Sequence, residues 1–131
     1  MKKIVTLCAV VIGFMTMTAM QPVAQAEFKF IAEAHDFGKI PQGKPVSYAF
    51  TFTNIGDQPL IITAVEPACG CTAANYTKTP VKKGERGIIT LTYNAAASGA
   101  FTKLATVRSN ANTPVKVLSF KGEVVAATTS M

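Results

Sequence analysis

From Val46 to Thr53 large and small side chains alternate without a break: Val46, Tyr48, Phe50 and Phe52 against Ser47, Ala49, Thr51 and Thr53. Side chains two apart share one face of a strand, so this run buries one face and wets the other. The turn formers Asn54-Ile55-Gly56-Asp57-Gln58-Pro59 close it. The same rhythm returns along the chain. Leu60 to Val65 is β-branched, and Ile89, Leu91 and Tyr93 alternate with Thr90 and Thr92 after Lys83-Gly84-Glu85-Arg86-Gly87. Thr102 to Arg108 and Val115 to Val125 give two more strands around Asn110-Ala111-Asn112-Thr113-Pro114. Phe28 to Ala32 is expected to open the sheet, and a short strand to follow Cys71 toward Tyr76.

No stretch of ten or more residues carries helical spacing. Pro41, Pro45, Pro59, Pro67, Pro80 and Pro114 all fall near element boundaries, where a missing N–H does least harm. About seven short antiparallel strands with turns between them predict an immunoglobulin-like β-sandwich. The antibody variant is disfavoured. It pairs cysteines across the sheets against a Trp, and this chain has no Trp, while Cys69 and Cys71 are one residue apart. The expected core is Phe37, Tyr48, Phe50, Phe52, Ile62, Leu91, Phe101, Val107 and Phe120. Each is worth about 1.5–3 kcal/mol if fully buried.

The N-terminus has the order of an export leader. Lys2 and Lys3 precede an apolar run from Ile4 to Met20; Pro22 and the small-x-small site Ala24-Gln25-Ala26 follow. Residues 1–26 are therefore read as a signal peptide cut before Glu27, residues 27–125 as the sandwich, and 126–131 as a flexible tail. Cys8 leaves with the leader. The expected location is periplasmic or secreted, with membrane contact only through the leader before cleavage. Removing Lys2 and Lys3 from the 13 Lys plus Arg leaves 11 against 7 Asp plus Glu, a net of +4. These charges are scattered, and the one cluster, Lys82-Lys83-Gly84-Glu85-Arg86, is interrupted by Glu85. Nucleic-acid binding calls for a basic stripe interleaved with stacking aromatics, so no nucleic-acid partner is expected.

The distinctive chemistry lies in Cys69-Gly70-Cys71-Thr72. In an oxidising compartment unpaired thiols tend to be oxidised. A bridge over one intervening residue needs a kink, which Gly70 can supply, and its small ring has little loop entropy to remove. Four readings stay open. They are a turn-stiffening disulfide or a pair of small buried thiols; a labile redox pair; two thiolates for a soft metal such as copper, with His35 as a third ligand; and a bridge to another protein. His35 is the only histidine and sits beside Asp36. It is expected at a strand edge, since a nucleophile–base set around it would need distant neighbours.

Five segments in order carry a family resemblance: His35-Asp36-Phe37-Gly38; Phe52-Thr53-Asn54-Ile55-Gly56 leading to Pro59-Leu60-Ile61-Ile62; Cys69-Gly70-Cys71-Thr72; Lys83-Gly84-Glu85; and Ser109-Asn110. The chain resembles the bacterial domain-of-unknown-function family 1573, exported Hydin-like domains of immunoglobulin fold, over nearly all of 28–125. Lys83 stands where that family generally has Pro, and Asn112 replaces a frequent Asp-Pro turn. The resemblance implies a seven-stranded sandwich and export to a Gram-negative envelope, and it implies no established activity.

The expected function is thus an exported, non-enzymatic interaction or structural module without a cofactor. Its partner would be an envelope protein or polymer. Asn54, Gly56, Gly70, Thr72, Lys83 and Gly84 mark the expected interaction loops. The alternative is a thiol-redox or copper-handling protein that uses Cys69 and Cys71.

Overall fold

In the computed structural model residues 25–126 are described. The leader up to residue 24, with Cys8, and the tail from 127 lie outside the described residues. Eight strands follow in order: β1 (Phe28–Phe30), β2 (Ala34–Pro41), β3 (Val46–Asn54), β4 (Ile62–Pro67), β5 (Thr72–Tyr76), β6 (Arg86–Tyr93), β7 (Gly99–Ser109) and β8 (Val115–Val125). They form two four-stranded sheets, ordered β1-β3-β6-β5 and β2-β8-β7-β4. The all-β sandwich read from alternation is the fold, and no described residue is helical.

The strand that periodicity missed is β2. Its sequence, Ala-His-Asp-Phe-Gly-Lys-Ile-Pro, breaks the alternation because its pairing slips between Asp36 and Lys39. Gly38 takes φ +66° there, and its N–H is held by the Asp36 carboxylate at 2.8 Å. A bulge of this kind inserts residues that oppose nothing on the neighbouring strand, so the two-residue rhythm is lost. β2 also pairs parallel to β8, with Ala34 opposite Ser119 and Pro41 opposite Val125, whereas every other strand pair is antiparallel. The fourth strand starts later than expected. Leu60 is held by an isolated bridge to Val81, and regular pairing to β7 begins at Ile62.

Inward rows of both sheets fill the space between them. Phe50, Phe52, Ile62, Leu91, Phe101, Val107 and Phe120 are buried, as expected, together with Leu60, Ile89, Tyr93, Leu118 and Val124. Phe37 and Tyr48 are only half-buried and pack against this core from the β2 side. Tyr93 stacks on Phe101 with ring centres 4.3 Å apart, and both rings meet Phe120. Such aromatic contacts add about 0.5–1.5 kcal/mol each beyond burial.

The register also fixes the two ends. Asn54 pairs with Phe28, and Thr53 with Arg86, so the 54–59 and 80–86 loops share an upper end. Val46 and Thr72 both pair with Tyr93, which puts the 41–46 turn, residues 68–71 and the 94–98 loop at the lower end.

Candidate functional site

At the upper end the strand β3 finishes on Asn54, whose side chain is wholly buried. Its Nδ2 donates to the carbonyls of Gln58 (2.7 Å) and Val81 (2.9 Å); its Oδ1 accepts from the N–H groups of Glu27 (3.2 Å) and Gly56 (3.0 Å). An amide has two donor hydrogens and two acceptor lone pairs, and all four are used here. The Asn54 backbone adds two bonds, donating to Glu85 (3.0 Å) and accepting from Gly84 (2.7 Å). One side chain thus ties together the entry strand, the 54–59 loop and the 80–86 loop. Gly56 is buried as well. A Cβ there would collide with the backbone of Gln25, Ala26 and Glu27, so only glycine allows that close approach.

These contacts revise the expected interaction loops. Asn54 and Gly56 are interior fastenings and offer no surface to a partner. Lys83 and Gly84 are exposed. Lys83 pairs with Asp57 at 2.8 Å, which lowers the Asp57 carboxyl and raises the Lys83 ammonium, in both cases through their hydrogen bond first and their mutual charge second. Gln25 and Ala26, assigned by sequence to the leader, are packed against the same end. Ala26 is buried and bridges Ala111, its carbonyl accepts from Asn112 (2.7 Å), and the Gln25 carbonyl accepts from Asp57 (2.9 Å).

The cysteines sit at the opposite end, where the chain leaves β4 in one sheet and enters β5 in the other. Cys69 and Cys71 are joined as a disulfide with Cα atoms 5.3 Å apart, inside the range for such bonds. Both are half-buried, and Cys71 packs against the core edge. Gly70 stands exposed between them, with nothing within 4 Å of where a side chain would begin. Thr72 is buried, which removes it from the expected contact surface, and its hydroxyl lies 4.0 Å from each sulfur. Hydrogen bonds on both sides hold this corner without the bridge: Ala68 N–H to the Leu104 carbonyl (2.9 Å) and Asn94 N–H to the Cys71 carbonyl (3.0 Å). A three-residue ring adds about 1.6 kcal/mol at most by loop entropy.

His35 does not join the cysteines. It lies on β2, whereas Cys69 follows β4, and these are opposite edges of one sheet, about 14 Å apart by three strand spacings. Its ring stacks on Tyr48 at 3.7 Å and meets the edge of Phe37 at 4.6 Å, closing the side of the sandwich. The three-ligand copper set is therefore not assembled. Among the described residues no group of three His, Cys, Asp or Glu side chains comes together for a metal.

The outer faces of the two sheets differ. Along β3 the outward row is Ser47, Ala49, Thr51 and Thr53, and along β6 it includes Thr90 and Thr92 with one large apolar residue, Ile88. On the other sheet Leu104, Val115 and Val117 are 44–50% exposed on the adjacent strands β7 and β8. Below them two depressions of about 360 and 380 Å³ share Asp36, Thr102 and Lys121 beside the β2 bulge. Sequence reasoning missed this surface. The signal available was the apolar residue at both kinds of position in Val115-Lys116-Val117-Leu118.

Fold and corner together define an immunoglobulin-like β-sandwich domain with a single-residue disulfide loop at a sheet-to-sheet crossing. The family described as "Protein of unknown function (DUF1573)" matches residues 28–124, and the chain belongs to it. No curated protein matches. A protein of unknown function from Porphyromonas gingivalis W83 has a similar structure (TM-score 0.69, 16% identity), with 83% of this chain matched. This chain spans about half, 51%, of that protein's length. The PapD-like domain 7 of human CEP192 is similar at TM-score 0.61 and 11% identity, over 83% of this chain and 92% of that one. The VesB protease of Vibrio cholerae matches at TM-score 0.62 and 15% identity, over 75% of this chain and 32% of the protease. At these identities the likeness is one of fold.

Proposed function

We propose that this chain is an exported, non-enzymatic interaction module of the bacterial envelope that holds a protein partner on the outer face of β2-β8-β7-β4. The observation that carries the reading is the asymmetry of the two outer faces. Leu104, Val115 and Val117 form the apolar part of one face, rimmed by the Arg108–Glu66 pair (3.2 Å) and by Lys121 and Asp36. The row along β3 on the other face is Thr, Ser and Ala. Apolar groups gathered on a polar-rimmed face mark interaction sites more often than scattered ones do. The recurrence of similar sandwiches inside longer chains, 51% of one and 32% of another, supports a modular role. It does so at the level of fold alone.

The test is site-specific crosslinking in intact cells, with the photoreactive group at Leu104 or Val117 and, for comparison, at Ser47 or Ala49. A discrete adduct from the first pair alone is expected, lost at unchanged thermal stability when the other member of the pair is charged (Val117→Lys with the group at Leu104, Leu104→Glu with the group at Val117). Equal adducts from both sheets, or none from Leu104 and Val117, would sink the reading.

A further inference from the structure

The docking face leaves the disulfide corner unused, and the corner has the parts of a reaction site. We propose that Cys69 and Cys71 form a reversible thiol–disulfide exchange pair whose partner is a vicinal dithiol of another protein. The argument is independent of the docking reading and rests on three features of the corner.

The bridge can open without unfolding the sandwich. Ala68 N–H to Leu104 and Asn94 N–H to Cys71 hold the corner from both sheets, and Thr72 keeps its place opposite Tyr93. The bridge can be reached, because both cysteines are half-buried and the space above the exposed Gly70 is open. A donor waits for the sulfur that leaves. The Thr72 hydroxyl is 4.0 Å from both sulfurs, and neither sulfur of a disulfide has a hydrogen to give, so the threonine is the donor. Hydrogen bonding to a thiolate favours the charged form and makes it the better leaving group.

The exchange balances. A partner thiolate attacks one sulfur of the Cys69–Cys71 bond; that S–S bond breaks as a mixed disulfide forms, and the other cysteine leaves as a thiolate accepting from Thr72. It then takes a proton from solvent. The partner's second thiolate attacks its own sulfur in the mixed disulfide and releases the remaining cysteine, which is protonated in turn. Two electrons pass from the partner dithiol to the pair, and the partner ends as a disulfide. The reverse sequence oxidises the pair.

The test equilibrates the full exported chain, purified from cells, with dithiothreitol in its reduced and oxidised forms, and separately with glutathione. Thiols are trapped by alkylation and counted by intact mass, with circular dichroism on the same samples. The expected result is a pair that opens and closes reversibly under native conditions while the sandwich spectrum is unchanged. Thr72→Val should slow reduction by dithiothreitol about tenfold, the size of one lost hydrogen bond to a charged group, and Thr72→Ser should restore the rate. A bridge that resists both reductants until the protein is denatured would overturn the proposal. So would reduction that unfolds the sandwich, or a Thr72→Val rate equal to that of the parent with both folded.

Discussion

The two ends of the sandwich are fastened in opposite ways. The upper end hangs on a buried amide that satisfies four backbone groups from three segments. The lower end carries a covalent bond, yet backbone hydrogen bonds from both sheets already hold the same corner. The weaker kind of bond therefore bears more of the fold. Removing a buried hydrogen-bonding partner leaves its mates desolvated and unpaired, whereas opening a very short loop frees little chain entropy.

This contrast can be broken by measurement, and the largest effect belongs to the upper end. Asn54→Ala should cost about 3–4 kcal/mol in urea unfolding, since it strands four backbone groups at the loop base. A cost below that of losing the disulfide would reverse the comparison. Next comes the entry segment. A chain beginning at Glu27 loses the Gln25 and Ala26 carbonyls that accept from Asp57 and Asn112. Set beside a chain beginning at Gln25, it should be less stable by about 1–2 kcal/mol, two hydrogen bonds' worth. Mass analysis of the N-terminus of the exported protein would show which of the two the cell makes.

At the lower end Cys69→Ser/Cys71→Ser should cost no more than about 1.6 kcal/mol, with the denaturant slope unchanged. The smallest effect is that of the exposed Lys83–Asp57 pair. Asp57 titrates below its ordinary 3.8, so its contribution is complete above that value and is lost as pH falls through the lowered one. Lys83 titrates above 10.5, so its contribution is present below that value and is lost as pH rises through the raised one. Asp57→Asn should flatten the acid limb of a stability profile at low salt, with the difference screened away at high salt.

Strands with one wet face were legible in the sequence because burial there obeys a two-residue period, as along Val46–Asn54 and Arg86–Tyr93. β2 was not, since its bulge at Asp36–Lys39 puts Phe37 and Ile40 out of phase. The cysteines were legible as a pair. Their position was not, because residue spacing says nothing about which end of a sandwich a turn occupies. The loops expected to form one surface fall at opposite ends, with Asn54 and Lys83 above and Cys69 below. Asn54 itself read as a turn former. The physical hint was Gly56 two residues on, a position where the chain closes on its own entry segment.

The parallel strand has one further effect, on the order of events. β8 is the last of the described strands in chain order, and it lies in the middle of its sheet, between β2 and β7. Until Val115–Val125 has emerged, Ala34–Pro41 has no neighbour to pair with and Phe101 and Phe120 cannot meet. The sheet β1-β3-β6-β5 has all its partners by Tyr93, whereas β2-β8-β7-β4 cannot be completed until Val115–Val125 takes its place between β2 and β7.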